Sequence, residues 1–236
     1  MAQVSFRMPE IRSAAGAMAI AMIASSVLVA VIKPLGAYVL LVPELVVSGF
    51  VWQLLSYGLI ERSPMGIIFG AIILWNLGGL LEMTWGRKRF LWFSFGIVLL
   101  AGVATVLLGL LVPALVAQAY PGGMVLTGAL WVAYGLQIGR GQTNFWGLPV
   151  TGNVLAAIGA GFVFLNAAFA GLSTVIPEAF GLFFAFLYIR GAQPSQLWYR
   201  FRSWRLDRDL KKRSAHLRGI DGGRRNVGGD SDRYMH

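Results

Sequence analysis

The chain contains no cysteine, and its two histidines, His216 and His236, both lie close to the C-terminus. From Met1 to Ala215 there is neither a thiol nor an imidazole. Lack of cysteine excludes disulfides, thiolate nucleophiles and zinc–thiolate sites. Lack of histidine removes the side chain most often used to activate a hydroxyl near neutral pH. Charge is also scarce: Asp, Glu, Lys and Arg make up 13% of 236 residues, about half the share usual in soluble domains. No Walker-type phosphate loop and no metal-ligand spacing occurs, so no metal or other cofactor is expected.

Long apolar runs fill the chain instead. Ala14–Ile32 carries no charge and is long enough to span a bilayer. Lys33-Pro34 follows it rather than a small-residue cleavage site, so it reads as a span and not as a removable leader. Further spans are expected at Pro64–Met83, Phe90–Leu111, Met124–Ile138, Val150–Leu172 and Thr174–Tyr188. The fourth is short for a crossing at about 1.5 Å per residue, which places it centrally, shielded by its neighbours. Trp85–Arg89 is read as a tight basic turn and Arg140–Pro149 as a loop. The expected fold class is an all-α membrane protein, a six-transmembrane-helix bundle.

The net charge of +10 is unevenly spread, since every aspartate lies beyond Arg190. With six spans, Arg7, Arg12, Arg87–Arg89, Arg140 and the tail share one side, opposite Lys33, Glu44, Glu61 and Arg62. By the positive-inside rule both termini are cytoplasmic, and the reading places the chain in a bacterial inner membrane. Three segments are expected: a membrane domain over 1–190, a basic aromatic helix over 191–218 and a polar tail over 219–236. In the second, Trp198, Phe201 and Trp204 recur at helical spacing among Arg200 and Arg205, as in a helix lying on a lipid surface. Beside a membrane span, anionic lipid at the cytoplasmic face is the expected partner, and nucleic acid is not.

The stretch from Trp52 to Phe90 resembles the rhomboid superfamily. Trp52-Gln53-Leu54-Leu55-Ser56-Tyr57 is similar to the family's segment leading into the second helix. Gly78-Gly79-Leu80-Leu81-Glu82 and Trp85-Gly86-Arg87-Lys88-Arg89-Phe90 are similar to its Gly-x-x-x-Glu and Gly-x-x-Arg-Phe run. Leu126-Thr127-Gly128-Ala129 falls where rhomboids carry Gly-x-Ser-Gly, and Glu178-Ala179-Phe180-Gly181 where they carry His-x-x-Gly. The resemblance covers roughly residues 14–190 and implies a six-helix rhomboid-like bundle. It also implies where chemistry would sit: Thr127 at the serine, Glu178 at the dyad histidine, Gly66 and Gly70 at the oxyanion donors, Glu61 at an earlier histidine. Glu82 and Arg87 take a structural role by the same resemblance.

Every one of those chemical positions is altered. Thr127 would need a base, and Glu178 is the acid nearest in the implied fold. Glycines at 66 and 70 offer no side-chain donor, and losing one oxyanion donor costs about 2.7–4 kcal/mol. Thr127 reads as a packing residue bonded to a backbone carbonyl, Glu82 as an ion-pair or turn-capping acid, and Glu178 as a helix cap or partner contact. The small pairs Gly66/Gly70, Gly135/Gly139 and Gly181/Ala185 invite close helix approach. The sequence therefore reads as a rhomboid-like protein without proteolysis. It is expected to bind transmembrane helices of another membrane protein, or to act as a subunit or scaffold, as inactive relatives such as derlins imply. An active protease centred on Thr127 and a small transporter are the alternatives. Nothing in the sequence says whether copies self-associate.

Overall fold

Apolar runs bounded by oxygen-bearing caps set the helices. The computed structural model describes residues 13–145 and 148–191, with residues 144 and 145 described by backbone alone. Helix α1 spans Ala14–Val31, and the Ser13 hydroxyl accepts the Gly16 N–H at 3.0 Å. Helix α2 spans Pro64–Trp85 and starts the same way, with Ser63 accepting from Gly66 and Pro64 in the first turn. Residues Leu74–Gly78 of α2 form a wide π turn, within which the Asn76 amide donates to the Ile72 carbonyl at 3.0 Å. That bond satisfies a polar side chain inside an apolar span.

Helix α3 spans Arg87–Leu111, α4 Gly123–Ile138, α5 Gly152–Ala170 and α6 Ile176–Arg190. A 3-10 turn over Leu172–Val175 leads into α6. Strands β1 (Gln142–Phe145) and β2 (Leu148–Thr151) pair antiparallel, Gln142 opposite Thr151. Helices α1, α2, α3, α5 and the Leu172–Arg190 unit are long and apolar enough to cross a membrane, and α4 is a shorter apolar helix. The protein is an all-α membrane protein with a small two-stranded sheet.

Helix α4 is the axis of the bundle. Every residue from Val125 to Ala133 is buried. Sixteen residues make about 24 Å of helix, short of the ~30 Å hydrocarbon layer, and α2, α3, α5 and α6 surround it. Close approaches are made possible by missing side chains. A Cβ on Gly135 would lie 2.5 Å from the Ala156 nitrogen of α5, and one on Gly181 of α6 would lie 2.8 Å from a Val125 methyl.

The same contacts sort the two ends of the bundle. The start of α1 meets Glu82 near the end of α2, and the start of α3 meets Tyr188 near the end of α6. The end of α4 meets Gly152 at the start of α5. This end carries Arg87, Lys88, Arg89, Arg140 and Arg190, and the other carries Lys33, Glu44, Glu61, Arg62 and Glu178.

Several boundaries differ from those read in the sequence. Arg87–Arg89 is not a turn but the first turn of α3; the corner is made at Gly86 alone, whose φ of 81° suits glycine. The expected loop Arg140–Pro149 holds the hairpin, so the fifth helix starts at Gly152 rather than Val150. The sixth starts at Ile176 rather than Thr174. Gly139 ends α4 with a φ of 61°, and its carbonyl accepts the Asn153 N–H at the start of α5 at 2.8 Å. The expected tail helix, with Trp198, Arg200, Phe201, Trp204 and Arg205, lies outside the described residues.

Candidate functional site

The sequence positions singled out for chemistry converge on the first half of α4. Gly70 of α2 faces Thr127: a Cβ there would lie 3.5 Å from the threonine methyl and 3.0 Å from the Met22 sulfur of α1. A Cβ on Gly66, one turn earlier, would lie 2.6 Å from the Cγ of Glu61. A Cβ on Gly123 would lie 3.1 Å from Oε2 of the same Glu61. Glu178 starts α6 one turn before Gly181, which itself lies on Val125. Glu61 and Glu178 are within electrostatic range of one another.

Each polar group in this cluster is committed. The Thr127 hydroxyl is fully buried and donates to the Gly123 carbonyl of its own helix at 3.0 Å. Both oxygens of Glu178 accept from the Asn166 amide of α5, at 2.9 and 3.2 Å. Glu61 is 7% exposed. Its Oε1 accepts the backbone N–H groups of Arg62 (2.9 Å) and Ser63 (3.2 Å), and the Met124 N–H also favours its charged form. Its own N–H donates to the Ser26 hydroxyl of α1 at 2.9 Å. Burial pushes the Glu61 carboxyl above its usual range, opposed by those N–H bonds and by the Arg62 charge.

Glu61 thus caps the approach to α2 and lies beside the first turn of α4. It fills the space beside Gly66, so Gly66 meets a side chain of its own chain rather than another helix backbone. A nucleophile and its base must lie within about 2.6–3.2 Å. Here the hydroxyl of Thr127 is turned to a carbonyl and the carboxylate of Glu178 to an amide. Among the described residues no group of three His, Cys, Asp or Glu is placed to hold a metal ion.

Glu82 does not pair with the basic residues that follow it. Its two oxygens accept the N–H groups of Ala14 and Ala15 at 2.9 and 2.8 Å, capping α1 from 68 and 67 residues away. Arg87 is exposed on the first turn of α3. Ala185 is fully buried within the core.

Three groups were not singled out from the sequence as site residues. Arg89 donates from Nε to the Tyr188 hydroxyl at 3.1 Å, with its guanidinium over the Trp85 ring at 5.2 Å. Trp85, Phe93 and Tyr188 form one aromatic cluster tying α2, α3 and α6. Gln53 is fully buried, accepting from Val42 N–H (3.0 Å) and donating to the Ala37 carbonyl (2.9 Å). The alternation of basic and aromatic residues around Gly86 was the available signal for the first two.

Residues 16–199 match the family described as Eukaryotic integral membrane protein (DUF1751). The chain belongs to that family. No curated protein matches it. Membership overturns the bacterial inner membrane expected from the sequence, because the family is eukaryotic. Run length and charge asymmetry are imposed by any bilayer, so they cannot tell the two kinds of cell apart. The membership agrees with the apolar helices in making this an integral membrane protein.

Proposed function

We propose that this family member is a rhomboid-like, non-catalytic membrane protein that binds transmembrane segments of another membrane protein, as an integral subunit or scaffold. One observation carries the reading: the place corresponding to the second-helix donors and the serine is filled from within, by Glu61 against Gly66 and by Thr127 bonded to Gly123. Packing consumes the groups that would otherwise activate a carbonyl. The lipid part of the proposal assigns Trp198, Phe201, Trp204, Arg200 and Arg205 to anionic lipid at the cytoplasmic face.

The test is purification from the native source in mild detergent, with identification of what elutes alongside. A stoichiometric membrane-spanning partner supports the proposal. The pure protein is then incubated with a transmembrane test substrate. Scission that disappears in Thr127→Ala would overturn the non-catalytic reading in favour of a hydrolase.

A further inference from the structure

The basic end of the bundle holds a charge demand that the described fold does not meet. Arg87, Lys88 and Arg89 occupy the first turn of α3, a helix of 25 residues, with no acid in that turn and no side-chain cap. Cations at the positive end of a helix dipole are unfavourable. The acid nearest in sequence, Glu82, is committed to Ala14 and Ala15. All three basic side chains are exposed, and nothing lies within 4 Å of where a Cβ on Gly86 would sit.

The cluster is also ordered before any ligand arrives. Arg89 is clamped by the Tyr188 hydroxyl and lies over both the Trp85 and Tyr188 rings, at 5.2 and 5.8 Å. An arginine held through Nε keeps its terminal nitrogens for an anion. Trp92 is 80% exposed and lies four residues after Lys88, on the same face of α3. An exposed tryptophan one turn inside a span marks the headgroup boundary of the bilayer. The cations are therefore at the level where lipid phosphates lie, above a ring at the level where acyl chains begin.

We propose that the Gly86–Arg89 corner seats the phosphate of an anionic phospholipid. Arg87 and Lys88 face the headgroup, Arg89 is positioned by Tyr188 and Trp85, and Trp92 packs on the chain below. This deepens the lipid contact proposed above and rests on the same bilayer chemistry, but it locates that contact in the folded bundle rather than in the tail.

The test uses the full-length protein in lipid nanodiscs containing phosphatidylcholine and phosphatidylinositol, with retained lipid counted by native mass spectrometry. Wild type is expected to retain phosphatidylinositol, and inorganic phosphate is expected not to displace it. Neutralising Arg87 and Lys88 together, as Arg87→Gln/Lys88→Gln, should weaken retention about 25-fold, roughly fivefold per charge. Tyr188→Phe should weaken it less, by releasing Arg89, and Arg87→Lys should keep it. Retention unchanged in Arg87→Gln/Lys88→Gln overturns the proposal. If retention is instead lost in Arg200→Gln/Arg205→Gln, the tail contact stands and the corner does not. Should the double variant fail to fold, a photoreactive phosphatidylinositol is crosslinked to wild type. Adducts within 85–92 support the corner, and adducts confined to 198–205 overturn it.

Discussion

Glu61 shows how one buried carboxylate is held between opposing demands. Burial favours its neutral form, while N–H bonds from Ser63, Arg62 and Met124 favour the charged form. Burial is the larger effect, so its pKa lies above the ordinary 4.5. The folded protein then keeps a proton that the unfolded chain has released. The resulting stability is fully present below 4.5 and is lost as pH rises through the folded-state pKa. Glu61→Gln removes this dependence. Thermal unfolding of both proteins across mildly acidic to neutral pH should give a wild-type advantage that shrinks as pH rises. A difference that stays flat, or grows, would contradict the account.

At the scale of elements, the helices are joined by backbone contact and by caps reaching across the chain. In Gly135→Ala the new methyl meets the Ala156 nitrogen and the Gly152 oxygen at 2.5 and 2.6 Å, backbone atoms that cannot step aside. Destabilisation of about 1–3 kcal/mol is expected. Gly161→Ala on the same helix pair meets nothing within 4 Å and should be neutral, or stabilising by up to about 1 kcal/mol. Equal effects at the two sites in a denaturation series would refute the close approach of α4 and α5. For α1, Glu82→Ala leaves the Ala14 and Ala15 N–H groups without their acceptor. A loss of about 1–2 kcal/mol is expected, with faster hydrogen exchange at the start of α1 as the direct readout. Such caps are not legible in a sequence, because nothing local marks residue 82 as the neighbour of residue 14. The apolar runs are legible, since a bilayer demands their length. The hairpin was not: its strands are four residues each, and Pro149 and the nearby apolar run masked β2. The apposition of Gly70 and Thr127, and the filling of the space beside Gly66 by Glu61, join residues far apart in the chain and are visible only in the fold.

For the molecule as a whole, the question is whether the loop between α1 and α2 shares the stability of the bundle. Its short helical turns, Leu35–Val39, Pro43–Val47 and Gln53–Ser56, bury few side chains of their own. They are joined by Gln53 to Val42 and Ala37, by the Trp52 indole to the Tyr38 carbonyl, and by the Ser56 hydroxyl to Val39. Other hydrogen bonds tie the loop to the helices, among them the Glu61 N–H to the Ser26 hydroxyl and the Ser25 hydroxyl to the Leu59 carbonyl, both to α1. Tyr57 donates to the Val98 carbonyl of α3 at 2.8 Å, and Leu41 pairs through its backbone with Tyr120 before α4. The first set holds the loop to itself and the second holds it to the bundle, so the two should fail separately. Gln53→Ala leaves the buried Val42 N–H unpaired, at about 1–3 kcal/mol, and frees the carbonyl of the exposed Ala37. The expected result is fast hydrogen exchange and proteolytic cleavage between residues 33 and 56, with α3 and α4 still protected. Tyr57→Phe removes a link to the helices instead, and should lower the unfolding temperature of the whole bundle. If Gln53→Ala exposes α4 to exchange as readily as the loop, loop and helices form one cooperative unit, and the separation argued from these hydrogen bonds is wrong.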